Sequence, residues 1–176
     1  STVENGLSVT TANGAVNLGD RNNYIRGSIA ADLGTGNLTL GNSRYTSLGN
    51  INAGNVNVNA TGQYVGQSGS MSTGDLDIQA RGAYLTNASN AITGNISATI
   101  ERGMTIANTL DTNLGNVSVG NKLSLRVDGN ISQVNGTSVS AGTLQLDGNN
   151  NGLINASLSQ TNNNISGLIS ANMAGD

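Results

Sequence analysis

GNVNVNATGQYVGQSGSMST, residues 54–73, runs directly into GDLDIQARGAYLTNASNAIT, residues 74–93. Laid one under the other, the two stretches match Gly54 with Gly74, Val56 with Leu76, Val58 with Ile78 and Tyr64 with Tyr84. Each opens with apolar–polar–apolar alternation, the period-two pattern of a strand with one buried face. Gly, Asn, Asp and Ser separate the alternating segments, and these residues form turns and tolerate positive φ. A helix is excluded: no segment carries an apolar stripe at 3.6-residue spacing, and glycine is too frequent to sustain one.

The same opening recurs along the chain. It reads GAVNL at Gly14, GNLTL at Gly36, GNVNV at Gly54, GDLDI at Gly74, GNISA at Gly94, GNVSV at Gly115 and GTLQL at Gly142, with spacings of 22, 18, 20, 20, 21 and 27. The last gap reads as one unit with an insertion, expected within residues 129–136. A second column holds Tyr24, Tyr45, Tyr64, Tyr84, Met104 and Leu125, spaced 21, 19, 20, 20 and 21. A third, weaker column holds Ile29, Ile51, Met71, Ile92, Leu110 and Ile131.

Three short strands in a unit of about 20 residues describe an all-β parallel β-helix, a β-solenoid. Leu76 then lies between Val56 and Ile96, with rungs at the strand spacing of about 4.8 Å, so that seven or eight rungs make a rod roughly 35–40 Å long. Residues 1–176 form a single such domain. The complete absence of proline agrees, because each rung's N–H groups are needed by its neighbour. A β-sandwich would not require the column register, and an amyloid of the curli type would place Gln and Asn inside its strands rather than aliphatics.

Composition bounds the function. Apolar residues make up 36% of the chain but aromatics only 2%, with no Trp, Phe or Cys, whereas Gly reaches 25 and Asn 29. The core must therefore be built from small aliphatics. Charged residues are 10% and the net charge is −3; the seven Lys and Arg read as scattered, which argues against nucleic acid as a partner. No apolar run is long enough to span a membrane and no signal peptide opens the chain.

Units such as residues 54–73 and 74–93 resemble the haemagglutinin-type repeats of large bacterial exoproteins, the group of filamentous haemagglutinin, two-partner-secreted adhesins and contact-dependent inhibition stalks. The resemblance spans Gly14 to about Leu146 and rests on the pattern G-[ND]-h-x-h, where h is apolar. It implies a right-handed parallel β-helix, passed through an outer-membrane transporter and folded outside the cell. It also implies an extracellular or cell-surface rod that carries adhesive or virulence functions. The secretion domains of such proteins contain Asn-Pro motifs, which this chain lacks, so it is expected to be an interior segment of a longer rod or a short structural relative with a different export route.

Candidate chemistry is sparse. Asp75 and Asp77, two residues apart on one strand, share a face as a glycosidase pair would. Yet the same outward slots hold Asn55 and Asn57, Asn95 and Ser97, and Asn116 and Ser118 elsewhere, so the pair reads as solvated polar surface. Without His or Cys, Ser-His-Asp and Cys-His catalysis are excluded. No enzyme, cofactor or metal site is expected: calcium-repeat motifs are absent, and Asp147 with Asn149, Asn150 and Asn151 reads as a turn. Nine N-x-S/T sequons are close to what this composition yields by chance. The outward positions Asn17, Thr39, Asn57, Asp77, Ser97, Ser118 and Gln145 are too irregular for an ice-binding face.

The tyrosines have two readings. As an inward stack they fill a corner of the core, the reading favoured by Met104 and Leu125 continuing the column. As an outward ladder they form a sugar- or protein-binding strip. The expected function is a structural, adhesive rod segment whose partner is a host or bacterial cell-surface protein or glycan. A filament subunit that associates end to end through open rungs is a second reading, and a carbohydrate-active β-helix enzyme a third.

Overall fold

The structure, a computed structural model, describes residues 1–172 and, within them, the side chains outside positions 150, 151, 153 and 154. No described residue is helical, and every strand pair is parallel. The chain winds into a β-solenoid of about 8 turns whose residues stack on others about 20 positions away. One turn is well seen from Leu76 onward. Its first face is Leu76–Ala80, its second Ala83–Leu85 and its third Ala91–Ile92, after which Ile96 lies beside Leu76.

The alternation in the sequence becomes columns of buried aliphatics. On the first face Val16, Leu38, Val56, Leu76, Ile96 and Leu114 stack in register, with Leu18, Leu40, Val58, Ile78 and Ala98 beside them. The second face holds Val65, Ala83, Met104, Leu123 and Leu144, and the third Val9, Ala31, Ile51 and Met71. Leu76 and Ile78 are 1% and 0% exposed. A fully buried Leu or Ile contributes about 1.5–3 kcal/mol through the apolar surface it removes from water, so long columns can stabilise the rod without aromatics.

The glycine column is real for five members and broken after them. Gly54 N–H donates to Gly36 O at 2.8 Å, Gly74 N–H to Gly54 O at 2.6 Å and Gly94 N–H to Gly74 O at 3.1 Å, with Gly14 directly below Gly36. The reason for glycine is close approach rather than positive φ: a Cβ on Gly74 would sit 2.5 Å from Gly54 O and 2.7 Å from Asn55 Oδ1. Gly115 leaves the column, because Leu114 already pairs with Ile96 and Val117 with Ala98; Gly115 occupies the irregularity between them. Gly142 belongs to the corner between the first and second faces, over Gly120 and Asn121, and Leu144 pairs with Leu123. The long final gap is therefore a change of column. The larger insertion falls after Gly148, where the offset to the previous turn grows from Val127↔Gly148 to Gly129↔Leu153. Of the third column Ile51 and Met71 pair as expected, whereas Ile29 lies beside Leu48, Ile92 beside Thr73, and Leu110 is 39% exposed.

Asparagines turn the corners, Asn23 and Asn90 buried and Asn163 half-buried. Asn23, Asn90 and Asn163 each donate Nδ2 to the carbonyl of a leucine five residues earlier, Leu18, Leu85 and Leu158, at 2.9, 3.2 and 3.1 Å. Each is followed two residues later by an isoleucine: Ile25, Ile92 and Ile165. The shared pattern L-x4-N-x-I thus makes one corner of each kind: first to second face, second to third, and third back to first. At Asn90 and Asn163 a glutamine closes a reciprocal pair of amide hydrogen bonds, from Gln67 and Gln133.

Asn42 and Asn108 do something different. The Asn108 side-chain amide accepts from Ile92 N–H at 2.8 Å and donates to Ile92 O at 3.1 Å, and Asn42 treats Ile25 in the same way at 3.0 and 3.0 Å. Each also donates to a threonine four residues on, Thr112 or Thr46. A side-chain amide here replaces a strand peptide, so the rung can shorten without leaving a buried N–H or C=O unpaired.

Candidate functional site

The expected inward stack of tyrosines is not what the fold builds. Tyr45 and Tyr84 are 55% and 45% exposed and Tyr24 and Tyr64 half-buried, whereas Met104 and Leu125 lie in the core. Nor do the six residues share a column. Tyr64 pairs with Gly82, Tyr84 with Gly66 and Thr105, Met104 with Ala83 and Leu123, and Leu125 with Ile106. An irregularity between Ala80 and Gly82 shifts the register by two and moves Tyr84 off the Tyr64 position while leaving both outward. Parity decides the rest: Met104 and Leu125 fall on inward slots of a strand and the tyrosines on outward ones.

Two of the rings lean onto a glycine of the next rung. The Tyr45 hydroxyl and the edge of the Tyr64 ring take the space a side chain on Gly66 or Gly82 would fill. Tyr64 also stacks on Tyr84, with centroids 6.2 Å apart. Arginines lie on the ring faces: Arg44 and Arg26 sit 4.5 and 5.0 Å from the Tyr24 centroid, and Arg81 is 5.5 Å from that of Tyr64.

The basic residues are not scattered in space. Arg21, Arg44, Arg81, Arg102 and Lys122 all fall at the corner where the first face passes into the second, and Arg26 and Arg126 lie just beyond it on the second face. Three turns have no cation here: Gln63 and the positive-φ Gly62 stand at one, and Gly142 and Gly167 at the last two. All but Arg81 are exposed, and among the described residues Arg26 pairs with Glu4 at 3.4 Å while the other six cations have no ion-pair partner. Asp32, Asp75, Asp77 and Asp111 stand away from this corner, whereas Asp20 and Glu101 lie in it beside Arg21 and Arg102, and Glu4 and Asp147 lie near Arg26 and Arg126. The result is one basic, tyrosine-lined strip running along the rod axis of an acidic chain.

Asp75 and Asp77 are occupied structurally. Asp75 Oδ1 accepts from Asn95 N–H at 2.7 Å, just as Asn55 Oδ1 accepts from Asp75 N–H and Asn37 Oδ1 from Asn55 N–H. This is a side-chain ladder along the rung starts, and aspartate serves in it as asparagine does. Asp77 accepts from Asn57 Nδ2 at 3.2 Å, and burial pushes its carboxyl above the usual carboxylate range. Among the described residues no three His, Cys, Asp or Glu side chains gather as a metal site would require. Asp147 and Asn149 to Asn151 lie within the strand Val139–Ala156 rather than in the expected turn; Asp147 accepts from Gln145, Asn149 donates to Ala88 O, and the side chains of Asn150 and Asn151 lie outside the described residues.

Against known families, a model described as repeats of unknown function, DUF5649, matches the chain over residues 35–99 and again over 101–172. Neither the curated proteins nor the solved structures contain a match.

Proposed function

We propose that this chain, which belongs to the DUF5649 family of repeats, is a non-catalytic rod that holds an adhesive strip at a fixed orientation on a bacterial cell surface. The observation that carries this reading is the gathering of all seven cations and the four tyrosines on and beside one corner of an otherwise weakly charged solenoid. A columnar aliphatic core makes the rod stiff, and stiffness keeps a linear array of contacts pre-organised, which lowers the entropy cost of binding. Repetition adds avidity, because one extended partner engages successive rungs. Secretion through an outer-membrane transporter, suggested by the resemblance to two-partner-secreted adhesins, would deliver such a rod to the outside.

The test is direct binding. Fluorescently labelled chain, titrated onto intact bacterial and animal cells, is expected to bind at least one cell type saturably and to be displaced by unlabelled chain. Absence of saturable binding to every cell type tested would refute adhesion.

The alternative of an end-to-end filament subunit draws on one observation, the exposed Leu168 and Ile169 in the last described rung, at 71% and 58%. It predicts concentration-dependent growth in light scattering, whereas a lateral adhesive strip requires none.

A further inference from the structure

We infer, building on the reading of the chain as an adhesive rod, that the tyrosine–arginine corner binds a linear acidic polysaccharide bearing carboxylates, of the uronate type. The chemistry is that of the strip. Cations stand at five of the about eight first-to-second corners, three of them on successive rungs (Arg81, Arg102 and Lys122), along one line with rungs about 4.8 Å apart. Such an array suits a polymer with charge repeated along its length better than a compact ligand. Guanidinium groups engage carboxylates through two parallel hydrogen bonds, and six of the seven cations are arginines, of which Arg26 is already held by Glu4. The exposed rings of Tyr45 and Tyr84 offer apolar contact to sugar rings.

The same geometry disfavours single-stranded nucleic acid, the other common polyanion. Recognition of bases requires free aromatic faces on which they stack. Here Arg26 and Arg44 sit over the Tyr24 ring, and Arg81 and Tyr84 over Tyr64. Tyr45 and the outer face of Tyr84 are left, on separate rungs, fewer platforms than a run of stacked bases uses.

Isothermal titration of the whole chain with oligogalacturonate at low salt tests the inference. Binding is expected, with affinity falling steeply as salt rises. The variant R44Q/R81Q/R102Q/K122Q is expected to bind at least about tenfold more weakly, because several charge contacts are lost together. D75N/D77N, on the first face, is expected to stay within about twofold, as surface changes away from a contact do. Should the fourfold variant fail to fold, R102Q/K122Q, whose parent side chains are both exposed, is expected to show a smaller loss in the same direction. Neutral dextran is expected not to bind, and a single-stranded oligodeoxynucleotide to bind more weakly than oligogalacturonate. Undiminished binding by the charge variants, equal binding of dextran, or preference for the oligonucleotide would overturn the inference. Saturable cell binding without oligogalacturonate binding would overturn it and leave the adhesive reading standing; no cell binding would remove that reading.

Discussion

The rings of Tyr64 and Tyr84 stack with centroids 6.2 Å apart and planes 19° from parallel, although the two residues do not face each other in the sheet. Tyr64 is paired with Gly82 and Tyr84 with Gly66, so the contact is diagonal, across two glycines that leave room for it. Aromatic pairs of this kind contribute about 0.5–1.5 kcal/mol beyond the area they bury. A double-mutant cycle on Y64A and Y84A in urea unfolding is expected to give a coupling in that range. A coupling of zero would mean that the rings do not hold each other.

The core columns should be far more sensitive than the strip. Leu76→Ala is expected to cost about 2–5 kcal/mol, since it opens a cavity between Val56 and Ile96. Each single tyrosine substitution is expected to cost about 1 kcal/mol. Comparison of urea midpoints checks the order, and equal losses at Leu76 and Tyr84 would contradict the inward and outward assignments.

Asn108 should behave as part of the backbone network. Asn108→Ala leaves the Ile92 N–H and C=O unpaired in a buried site, each at a cost of about 1–3 kcal/mol. Asn108→Asp keeps an acceptor for the N–H, loses the donor to Ile92 O and buries a charge. Both variants are expected to unfold at lower urea, and Asn108→Asp to recover part of its stability on acidification, when the carboxyl regains a proton to donate.

Gly74→Ala tests the reason for the glycine column. An added methyl would crowd Gly54 O and Asn55 Oδ1, so a loss of about 1–3 kcal/mol is expected although Gly74 has no positive φ. Gly136, with φ of +78° and open space around it, should instead lose stability through strain alone, by about 1–2 kcal/mol on substitution by alanine.

Asp77 carries the pH dependence that can be stated. Its carboxyl titrates above the ordinary value of 3.8 because burial disfavours the charge, so ionisation costs the folded chain more than the unfolded one. The stability Asp77 lends is present below the ordinary carboxylate range and lost as pH rises through the raised value. D77N is expected to be slightly more stable than the parent at neutral pH, by no more than about 0.5 kcal/mol for so partly exposed a group, and equal to it at low pH. Thermal unfolding across pH checks the crossing.

Much of the fold was legible because period-two alternation and a 20-residue repeat are set by backbone geometry, and Leu76 lies between Val56 and Ile96 as the columns require. The tyrosine column misled because equal sequence spacing does not guarantee equal register. A two-residue shift after Ala80 keeps a tyrosine outward, while Met104 and Leu125 land inward at nearly the same spacing. Gly142 misled similarly, since GTLQL on the second face carries the same pattern as GDLDI on the first. The basic corner was present in the text: most of the cations fall between the first and second strands of their units, a signal lost when they are counted as a total. The pattern L-x4-N-x-I was also there. Its three copies sit at three different corners, outside the period that the columns follow.

The central claim is that one lateral strip of the rod does the adhesive work. Retention of beads coated with the chain on a receptive cell layer, under flow, compares the parent with R44Q/R81Q/R102Q/K122Q and with D75N/D77N at matched density. The strip variant is expected to be washed off while D75N/D77N is retained like the parent. Equal retention of all three would contradict it.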